Sequence, residues 1–370
     1  MNRSFRCKPA VTRLIAASVS AALLLSPAAQ ACTSFMLTAK DGSRLYGRTM
    51  EFGVDMKAQV TLLPRGLVLA GSLPNAEQGK RWTSRYAALG FNGFGLPILV
   101  DGFNEKGLAG GMLFFPGSAK FVPAKDAPKA KAIASWEFLA WALTNFASVA
   151  EVKQAVAAGD VVITDTVQAD LGIAPPLHYT LHDASGASIV IEPVDGGLVV
   201  TDNPYTVLTN APDITWHQTN LRNYTTITPD FPKPIKVMGQ TLVPFSTGSG
   251  MRGLPGDQSS PSRYVQAVAL VATLNQPANA RENVQSAEHI LNHFDLADGS
   301  TGEYSGIKGQ GGFELTYWTA ISDLRNHRFY FKTYDNQQLR YVDLKDFDLD
   351  AKAPKYLPAT QPFAPQKLTP

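Results

Sequence analysis

Alternating apolar and polar side chains begin at residue 33 and predict the first strands of the chain. Residues 33–38 and 44–50 form a predicted hairpin around the turn residues Lys40, Asp41 and Gly42. Strand patterns also cover residues 96–103 and 108–115, and a meander is predicted between residues 177 and 210. The last strands are predicted over residues 313–321, 327–334 and 339–342.

Apolar residues at helical spacing predict one or two helices over residues 132–158, and further helices over residues 262–274 and 280–294. Strands and helices therefore come in separate runs, without the alternation that builds parallel sheets. This order favours an α+β architecture in which helices cover antiparallel sheets. No linker divides the chain, so we predict a single domain over residues 32–370, with residues 354–370 as an extended, proline-rich tail.

The first 31 residues have the pattern of a signal peptide. A basic start precedes an apolar run over residues 14–25, and small residues, Ala29 and Ala31, lie where a signal peptidase cuts. The run is too short to span a membrane. We expect cleavage before Cys32 and a secreted protein, periplasmic or extracellular, without a stable membrane anchor. A retained N-terminal helix is the alternative.

Cleavage would change both the charge and the cysteine count. The leader holds four basic residues and no acidic residue, so its removal changes the formal net charge from +2 to −2, which excludes nucleic acid as an expected partner. Cys7 would leave with the leader, and Cys32 would remain without a partner for an internal disulfide. Such a cysteine is buried, paired between chains, lipidated or catalytic.

A cysteine at the start of a mature chain carries its own general base. Its α-amine has a reference pKa of about 7.7–8.0, which suits proton transfer near neutral pH. The thiol of Cys32 supplies a nucleophile next to that base. The sequence therefore indicates acyl transfer, with Cys32 as the attacking residue.

Two charged residues of the second strand are candidate helpers. A two-residue turn at Asp41 and Gly42 would place Glu51 opposite Cys32, where it could orient the amine. Arg48 could lower the pKa of the thiol, but strict alternation puts it on the face opposite Glu51. A bulge at Gly47 would let both face Cys32. The alternative is an ordinary cross-strand ion pair on a solvated strand face.

Several motifs together resemble the choloylglycine hydrolase family, which holds bile salt hydrolases and penicillin V acylases. The motifs are Cys32-Thr33-Ser34-Phe35, Gly47-Arg48-Thr49-Met50-Glu51-Phe52, Asn104-Glu105-Lys106-Gly107-Leu108, Val207-Leu208-Thr209-Asn210-Ala211-Pro212, Asn220-Leu221-Arg222-Asn223-Tyr224, Gly253-Leu254-Pro255-Gly256-Asp257 and Ser259-Ser260-Pro261-Ser262-Arg263-Tyr264. The resemblance implies the N-terminal nucleophile fold, a four-layer αββα sandwich, and hydrolysis of linear amides that are not peptide bonds.

The resemblance also implies roles for individual residues. Arg48 would lie beside the thiol, Glu51 would stand where the family usually has Asp, and Asn210 would donate to the oxyanion. Arg263 would support the charge of the site. Its position in the first turn of a predicted helix, where the dipole disfavours a cation, also suggests a purpose. From the residues alone, Asn210 could simply cap a turn and Arg263 could reach solvent.

The expected substrate is a small-molecule amide with an apolar acyl group. Phe52, Phe114 and Phe115 would line an apolar pocket, and Phe114 falls where bile salt hydrolases carry a pocket Asn. We therefore expect penicillin V acylase-like activity, including N-acyl homoserine lactones, with conjugated bile salts as the runner-up. Either Phe114 or Phe115 could instead fill the core, because alternation sends neighbours to opposite faces.

The remaining expectations concern assembly and cofactors. His289 with His293, and His178 with His182, have metal-ligand spacing, but neither pair has an evident third ligand, so no metal and no cofactor is expected. The resemblance is compatible with a homotetramer. A lipid-anchored binding protein processed at Cys32 is the hypothesis from a different class, and Ala29 and Gln30 argue against it because a lipobox needs a large aliphatic residue there.

Overall fold

The structure is a computed structural model that describes residues 32–302, 313–365 and 367. The predicted signal peptide, residues 1–31, lies outside the described residues, as do residues 366 and 368–370 of the predicted tail. No helix within the described ranges is long and apolar enough to cross a membrane.

The strands and helices of these ranges are numbered in chain order. The strands are β1 (Thr33–Thr38), β2 (Arg44–Phe52), β3 (Gln59–Leu63), β4 (Val68–Ser72), β5 (Gln78–Thr83), β6 (Ala88–Phe91), β7 (Asp101–Asn104), β8 (Leu108–Phe114), β9 (Ala132–Ala134), β10 (Val162–Thr164), β11 (Leu177–Asp183), β12 (Ser188–Val194), β13 (Gly197–Asp202), β14 (Ile235–Val237), β15 (Gln240–Leu242), β16 (Thr301–Gly302), β17 (Phe313–Asp323), β18 (Arg328–Thr333), β19 (Asn336–Asp343) and β20 (Lys355–Pro358). The helices are α1 (Phe138–Asn145), α2 (Val149–Ala157), α3 (Ile214–Asn220), α4 (Ser260–Thr273) and α5 (Ala280–Leu291).

Two antiparallel sheets form the centre of the fold. The six-stranded sheet has the order β1-β2-β17-β18-β19, with β16 paired to β17, and the eight-stranded sheet has the order β13-β12-β11-β8-β7-β6-β3-β20. Aromatic residues pack between the sheets, where the ring centroids of Phe91 and Trp318 lie 4.8 Å apart. Helices α1 and α2 cover the eight-stranded sheet, and α4 and α5 cover the six-stranded sheet. This is the predicted α+β, four-layer αββα sandwich.

The hairpin β1–β2 forms as predicted, but its predicted register is wrong by one residue. Ala39, not Lys40, pairs with Ser43: its amide donates to the Ser43 carbonyl at 2.9 Å, which leaves a three-residue turn. Thr33 therefore pairs with Thr49, and continuation of the register brings Cys32 opposite Met50 rather than Glu51. Alternation then gives Cys32 and Arg48 the same face of the sheet, and Glu51 the other.

The predicted bulge at Gly47 is also absent, because Gly47 pairs regularly with both Phe35 and Ile321. The irregularity lies instead on the neighbouring strand β17, between Thr316 and Trp318. It allows Thr316 to pair with Glu51 while Trp318 pairs with Met50. Arg48 thus lies on the face of the six-stranded sheet that carries Cys32, and Glu51 and Thr316 lie on the opposite face.

The structure adds strands that the pattern did not predict. Strands β3 to β6 lie in a stretch for which no element was predicted, and β20 pairs with β3. The first part of the predicted tail is therefore an edge strand of the eight-stranded sheet. Strand β7 is shorter than predicted and begins at Asp101, so residues 96–100 approach it as a loop.

Candidate active site

The thiol of Cys32 lies between the two sheets, beside a buried guanidinium. Cys32 immediately precedes β1 and is 2% exposed. An Nη2 hydrogen of Arg48 points to Cys32 Sγ at 3.2 Å, and the thiol lies 3.6 Å from the carbonyl oxygen of Glu51. Arg48 thus reaches the thiol without any bulge, because the hairpin register already places both side chains on one face.

Arg48 is held by backbone carbonyls from both sheets. Its Nη1 donates to the carbonyls of Met112 at 3.0 Å and Val100 at 3.3 Å, and its Nε donates to that of Thr49 at 3.2 Å. Asp101 Oδ2 lies 3.7 Å from the same Nε. The guanidinium is fully buried, so its position relative to the sulfur is fixed by the packing of the two sheets.

The charge state of the thiol depends on competing effects. Burial raises the pKa of the Cys32 thiol to about 11, Arg48 lowers it and Glu51 raises it. In the 370-residue chain the nitrogen of Cys32 is a peptide amide. Without an α-amine beside it, the thiol is therefore almost entirely protonated near neutral pH.

Glu51 and Arg263 form a buried pair on the other face of the six-stranded sheet. Arg263 Nη2 lies 3.3 Å from Glu51 Oε1, and the guanidinium also donates to the hydroxyls of Thr33 at 2.8 Å and Thr49 at 3.2 Å. The Arg263 guanidinium carbon lies 5.1 Å from the centre of the Phe294 ring. Arg263 therefore binds the strands next to the thiol and does not reach solvent.

The placement of Arg263 follows from the start of α4. The helix begins at Ser260, after Ser259 at the N-cap, two residues earlier than the predicted start at residue 262, and Pro261 lies in its first turn. Arg263 remains in that first turn, where the ion pair with Glu51 offsets the unfavourable helix dipole. Burial raises the pKa of Glu51, and Arg263 opposes the rise. Glu51 Oε2 has no hydrogen-bond partner among the described residues.

Asn210 is brought to the site by a short antiparallel bridge to β1. The amide of Ser34 donates to the carbonyl of Leu208 at 2.8 Å, and the amide of Leu208 returns the bond at 2.9 Å. Two residues further along this register, Asn210 comes opposite Cys32. The side-chain Nδ2 of Asn210 donates to the backbone carbonyl of Phe114 at 2.7 Å. The backbone carbonyl of Asn210 accepts a hydrogen bond from His217 Nε2 at 2.9 Å.

An apolar cavity opens from the thiol. Besides Cys32, its lining residues are Met50, Phe52, Met56, Gly93, Phe94, Leu96, Ile98, Val100, Met112, Phe114, Trp136, Gln168, Leu171, Pro175 and Leu177. The rings of Phe52 and Phe114 meet edge to face with centroids 6.1 Å apart. The amide of Gln168 is engaged within its own loop, with Leu171 and Asp170. The wall of the cavity is therefore almost entirely hydrocarbon and sulfur.

Phe115 does not line this cavity. It follows β8, and its ring stacks on His178 with centroids 4.4 Å apart. Successive side chains of an extended segment point to opposite faces, which sends Phe114 to the cavity and Phe115 away from it. Of the three phenylalanines expected in the pocket, the structure brings only Phe52 and Phe114 together.

The site also contains residues that the sequence reasoning missed. Met50 Sδ lies 2.9 Å from Arg48 Nη2 and 3.7 Å from Cys32 Sγ, and Asp101 approaches Arg48 from the eight-stranded sheet. Met50 belongs to the motif around Arg48, so its position in the motif was the available signal. Asp101 gave none, because it meets Arg48 only through the packing of two sheets.

The histidine pairs have other neighbours in the structure. His178 contacts Glu192 and the carbonyl of Thr209, and His182 contacts Thr180. Burial lowers the pKa of His182 to about 3, which keeps its ring neutral. Among the residues described, no group of three or more His, Cys, Asp or Glu side chains could hold a metal ion.

A cysteine at the head of the first strand of an αββα sandwich, facing an apolar cavity, defines an N-terminal nucleophile hydrolase fold. Residues 32–357 match the family described as linear amide C–N hydrolases, choloylglycine hydrolase family. The chain belongs to this family, and it is a hydrolase of linear amide carbon–nitrogen bonds.

Relatives of two activities resemble the chain. It is 31% identical over 328 residues to a bile salt hydrolase/transferase of Clostridium perfringens, and the alignment covers 86% of this chain and 94% of that protein. It is 25% identical over 345 residues to a penicillin V acylase of Pectobacterium atrosepticum, covering 89% and 85%. A crystal structure of a variant of conjugated bile acid hydrolase from Clostridium perfringens superposes with a TM-score of 0.79 at 29% identity, covering 91% and 100%. The penicillin V acylase of Agrobacterium tumefaciens has the same fold, with a TM-score of 0.70 at 23% identity, covering 88% and 91%.

Proposed function

We propose that the chain is an N-terminal cysteine amidohydrolase in which Cys32 attacks the amide carbonyl after cleavage of the preceding segment. The observation that carries the proposal is the contact of Arg48 Nη2 with Cys32 Sγ, 3.2 Å apart at the wall of an apolar cavity. A cation at this distance stabilises the thiolate, which is the reactive form of cysteine.

Cleavage before Cys32 supplies the base. The new α-amine takes the thiol proton, and the thiolate adds to the amide carbonyl. The protonated amine then gives its proton to the leaving nitrogen as the carbon–nitrogen bond breaks, which leaves a thioester. Water, deprotonated by the amine, attacks the thioester and releases the acid, and the proton returns to the thiol. The buried Oε2 of Glu51, which has no partner among the described residues, supports Glu51 as an acceptor that orients the new amine.

Asn210 would stabilise the oxyanion. The register of the bridge between Ser34 and Leu208 supports this role, because it brings Asn210 opposite the nucleophile. One Nδ2 hydrogen is used by the carbonyl of Phe114, and the second remains for the substrate. Arg263 would act at a distance, by holding Glu51 and the strands that carry Cys32 and Arg48.

The lining of the cavity supports an apolar acyl group. Phe, Met, Leu and Ile side chains make up most of the wall, with Trp136 and Gln168 as polar exceptions, so the wall offers few donors to the hydroxyls of a steroid, and a lost donor cannot be replaced by apolar contact. We therefore propose penicillin V acylase-like activity on phenoxyacetyl or fatty acyl amides, including N-acyl homoserine lactones.

Conjugated bile salts are the second candidate. Proteins with this activity in their names are 30% or more identical to the chain over 86% of its length, as in Clostridium perfringens and Lactiplantibacillus plantarum. The relatives thus favour bile salts, whereas the cavity wall favours simpler acyl groups.

Release of phenoxyacetate, decanoate and cholate from their amides decides between the two. We expect faster release of phenoxyacetate or decanoate, and a clear preference for the cholate conjugate would refute the argument from the cavity. Phe114→Leu should change the ratio of the three rates, because Phe114 lines the cavity. Phe115→Leu is the matched control, since its ring lies outside the cavity on His178. Full activity in Cys32→Ser would contradict the mechanism itself.

Processing before Cys32 is part of the proposal, together with a periplasmic or extracellular location. Intact mass of the protein recovered from the host tests it: the mass should correspond to a chain that begins at Cys32. An added diacylglyceryl group would support the lipid-anchored binding protein instead, because acylation removes the free amine. Light scattering of the same sample would test for a homotetramer.

A further inference from the structure

Asp101 is a buried carboxylate behind Arg48 that the proposed mechanism does not use. It lies at the start of β7 in the eight-stranded sheet and is fully buried. Arg48 and Trp318, on two neighbouring strands of the six-stranded sheet, both reach across to it. Its Oδ2 lies 3.7 Å from Arg48 Nε and accepts a hydrogen bond from Trp318 Nε1 at 2.7 Å. Its Oδ1 faces the amide of Phe91 at 3.4 Å.

The guanidinium of Arg48 thus lies between the thiol of Cys32 and the carboxylate of Asp101. Nη2 faces the thiol, and the Asp101 carboxylate lies 3.7 Å from Nε. The hydrogen bonds of Nε and Nη1 go to neutral carbonyls, and Nη2 also contacts the sulfur of Met50, so none of these contacts compensates a full charge. Burial raises the pKa of Asp101, while Arg48 and the bond from Trp318 lower it. The charge of Arg48 is therefore shared between the carboxylate and whatever negative charge develops on Cys32.

We propose that Asp101 is a positioning residue that holds Arg48 across the two sheets and offsets part of its charge at the Cys32 thiol. This proposal rests on the proposed role of Cys32 as the nucleophile. A thiol beside an uncompensated guanidinium would be ionised over a wider pH range but would be a weaker nucleophile, because nucleophilicity falls with the pKa of the thiol. By offsetting part of the charge of Arg48, Asp101 keeps the pKa of the thiol low enough for ionisation and high enough for a reactive thiolate.

The other charged groups near the thiol are few. On β2, Arg48 favours the thiolate and Glu51 disfavours it, and Glu314 on β17 disfavours it more weakly. In the processed chain the α-amine of Cys32 joins them. A neutral residue at position 101 removes the negative charge behind Arg48 and leaves these other charges in place.

The test is the pH dependence of thiol alkylation in the processed protein, where Cys32 is the remaining cysteine. Asp101→Asn removes the charge and keeps an acceptor for Trp318. We expect the midpoint of alkylation by iodoacetamide to fall by about one pH unit, because the charge removed lies on the far side of the Arg48 guanidinium from the thiol and acts through an effective dielectric of about 20. The acid limb of kcat/KM should move in the same direction.

The control is Asp343→Asn, which removes the carboxylate from another arginine pair of the six-stranded sheet. Asp343 Oδ2 lies 3.1 Å from Arg328 Nε on the outer strands β18 and β19, away from the cavity. Its midpoint should equal that of the wild type. Asp101→Ser, a second neutral variant, should reproduce the fall seen with Asn.

An unchanged or higher midpoint in a folded Asp101→Asn protein would overturn the proposal. If neither Asp101 variant folds, as judged by circular dichroism, Asp101 is a structural residue and the proposal also fails. Alkylation requires no amide substrate. A shifted midpoint in a protein that hydrolyses no amide would therefore refute the proposed function and leave the role of Asp101 standing.

Discussion

Replacement of Arg263 by Met tests the buried pair on the helix-facing side of the six-stranded sheet. The variant loses the contact with Glu51 Oε1 at 3.3 Å and the hydrogen bonds to the hydroxyls of Thr33 and Thr49. Both members of the pair are fully buried, so Glu51 would be left as an uncompensated charge. Removal of one partner from a buried pair typically costs about 3–5 kcal/mol of the free energy of unfolding.

The loss should depend on pH, with a definite sign. Burial already raises the pKa of Glu51, and without Arg263 the pKa rises further. At low pH the carboxyl is protonated in both folded proteins, and the deficit is limited to lost hydrogen bonds, about 1–2 kcal/mol. As pH rises, the variant retains the Glu51 proton to a higher pH than the wild type does, while both unfolded chains have released it, so the stability of the variant falls relative to that of the wild type. The deficit therefore grows from acid to neutral and alkaline pH.

Urea unfolding followed by tryptophan fluorescence between pH 5 and pH 9 measures this deficit. The control is the double variant Arg263→Met with Glu51→Gln, in which no charge is left unpaired. Its deficit relative to Glu51→Gln alone should not change with pH. A deficit of the single variant that is the same at every pH would refute the reasoning, because it would mean that Glu51 carries no charge that Arg263 stabilises.

Three further predictions concern the other face of the sheet. Asn210→Ala should lower kcat by about 10²–10³ with little change in KM if its amide serves the oxyanion, and a change confined to KM would contradict that role. Gly111→Ala should lower the melting temperature, since its new methyl group would overlap the Tyr46 hydroxyl, and overpacking costs about 1–3 kcal/mol; an unchanged melting temperature would show that Tyr46 can move. In an unprocessed Cys7→Ser chain, alkylation of Cys32 should reach half its maximal rate near pH 11, and equal midpoints before and after processing would contradict activation by the free amine.

The sequence predicted the hairpin that carries the site but not its register. Alternation fixes which residues form strands, and both two-residue and three-residue turns fit the residues Lys40, Asp41 and Gly42. The choice between them shifts the pairing by one residue and exchanges the faces. The predicted conflict between Arg48 and Glu51 came from that error, because in the true register each has its own side of the sheet.

Contacts that depend on two sheets were the least predictable. Asp101 meets Arg48 and Trp318 through packing between β7, β2 and β17, which are far apart along the chain. No local spacing encodes such a meeting. The neighbours Phe114 and Phe115 show a second limit of sequence-based prediction. Alternation predicts that one of them faces the cavity, and only the structure shows which one.

The three-residue turn between β1 and β2 has a consequence for how this protein tolerates change. The turn residues are exposed and lie at the far end of the hairpin from Cys32. A replacement of Lys40 should be harmless, whereas Gly42 has φ of +80° and Asp41 accepts hydrogen bonds from the amide and hydroxyl of Ser43. A single-residue deletion or insertion is different. It would turn the second strand over, carry the guanidinium of Arg48 to the helices and expose the carboxylate of Glu51 to the cavity. The length of a loop remote from the thiol is thus as much a part of the catalytic design as any residue that touches it.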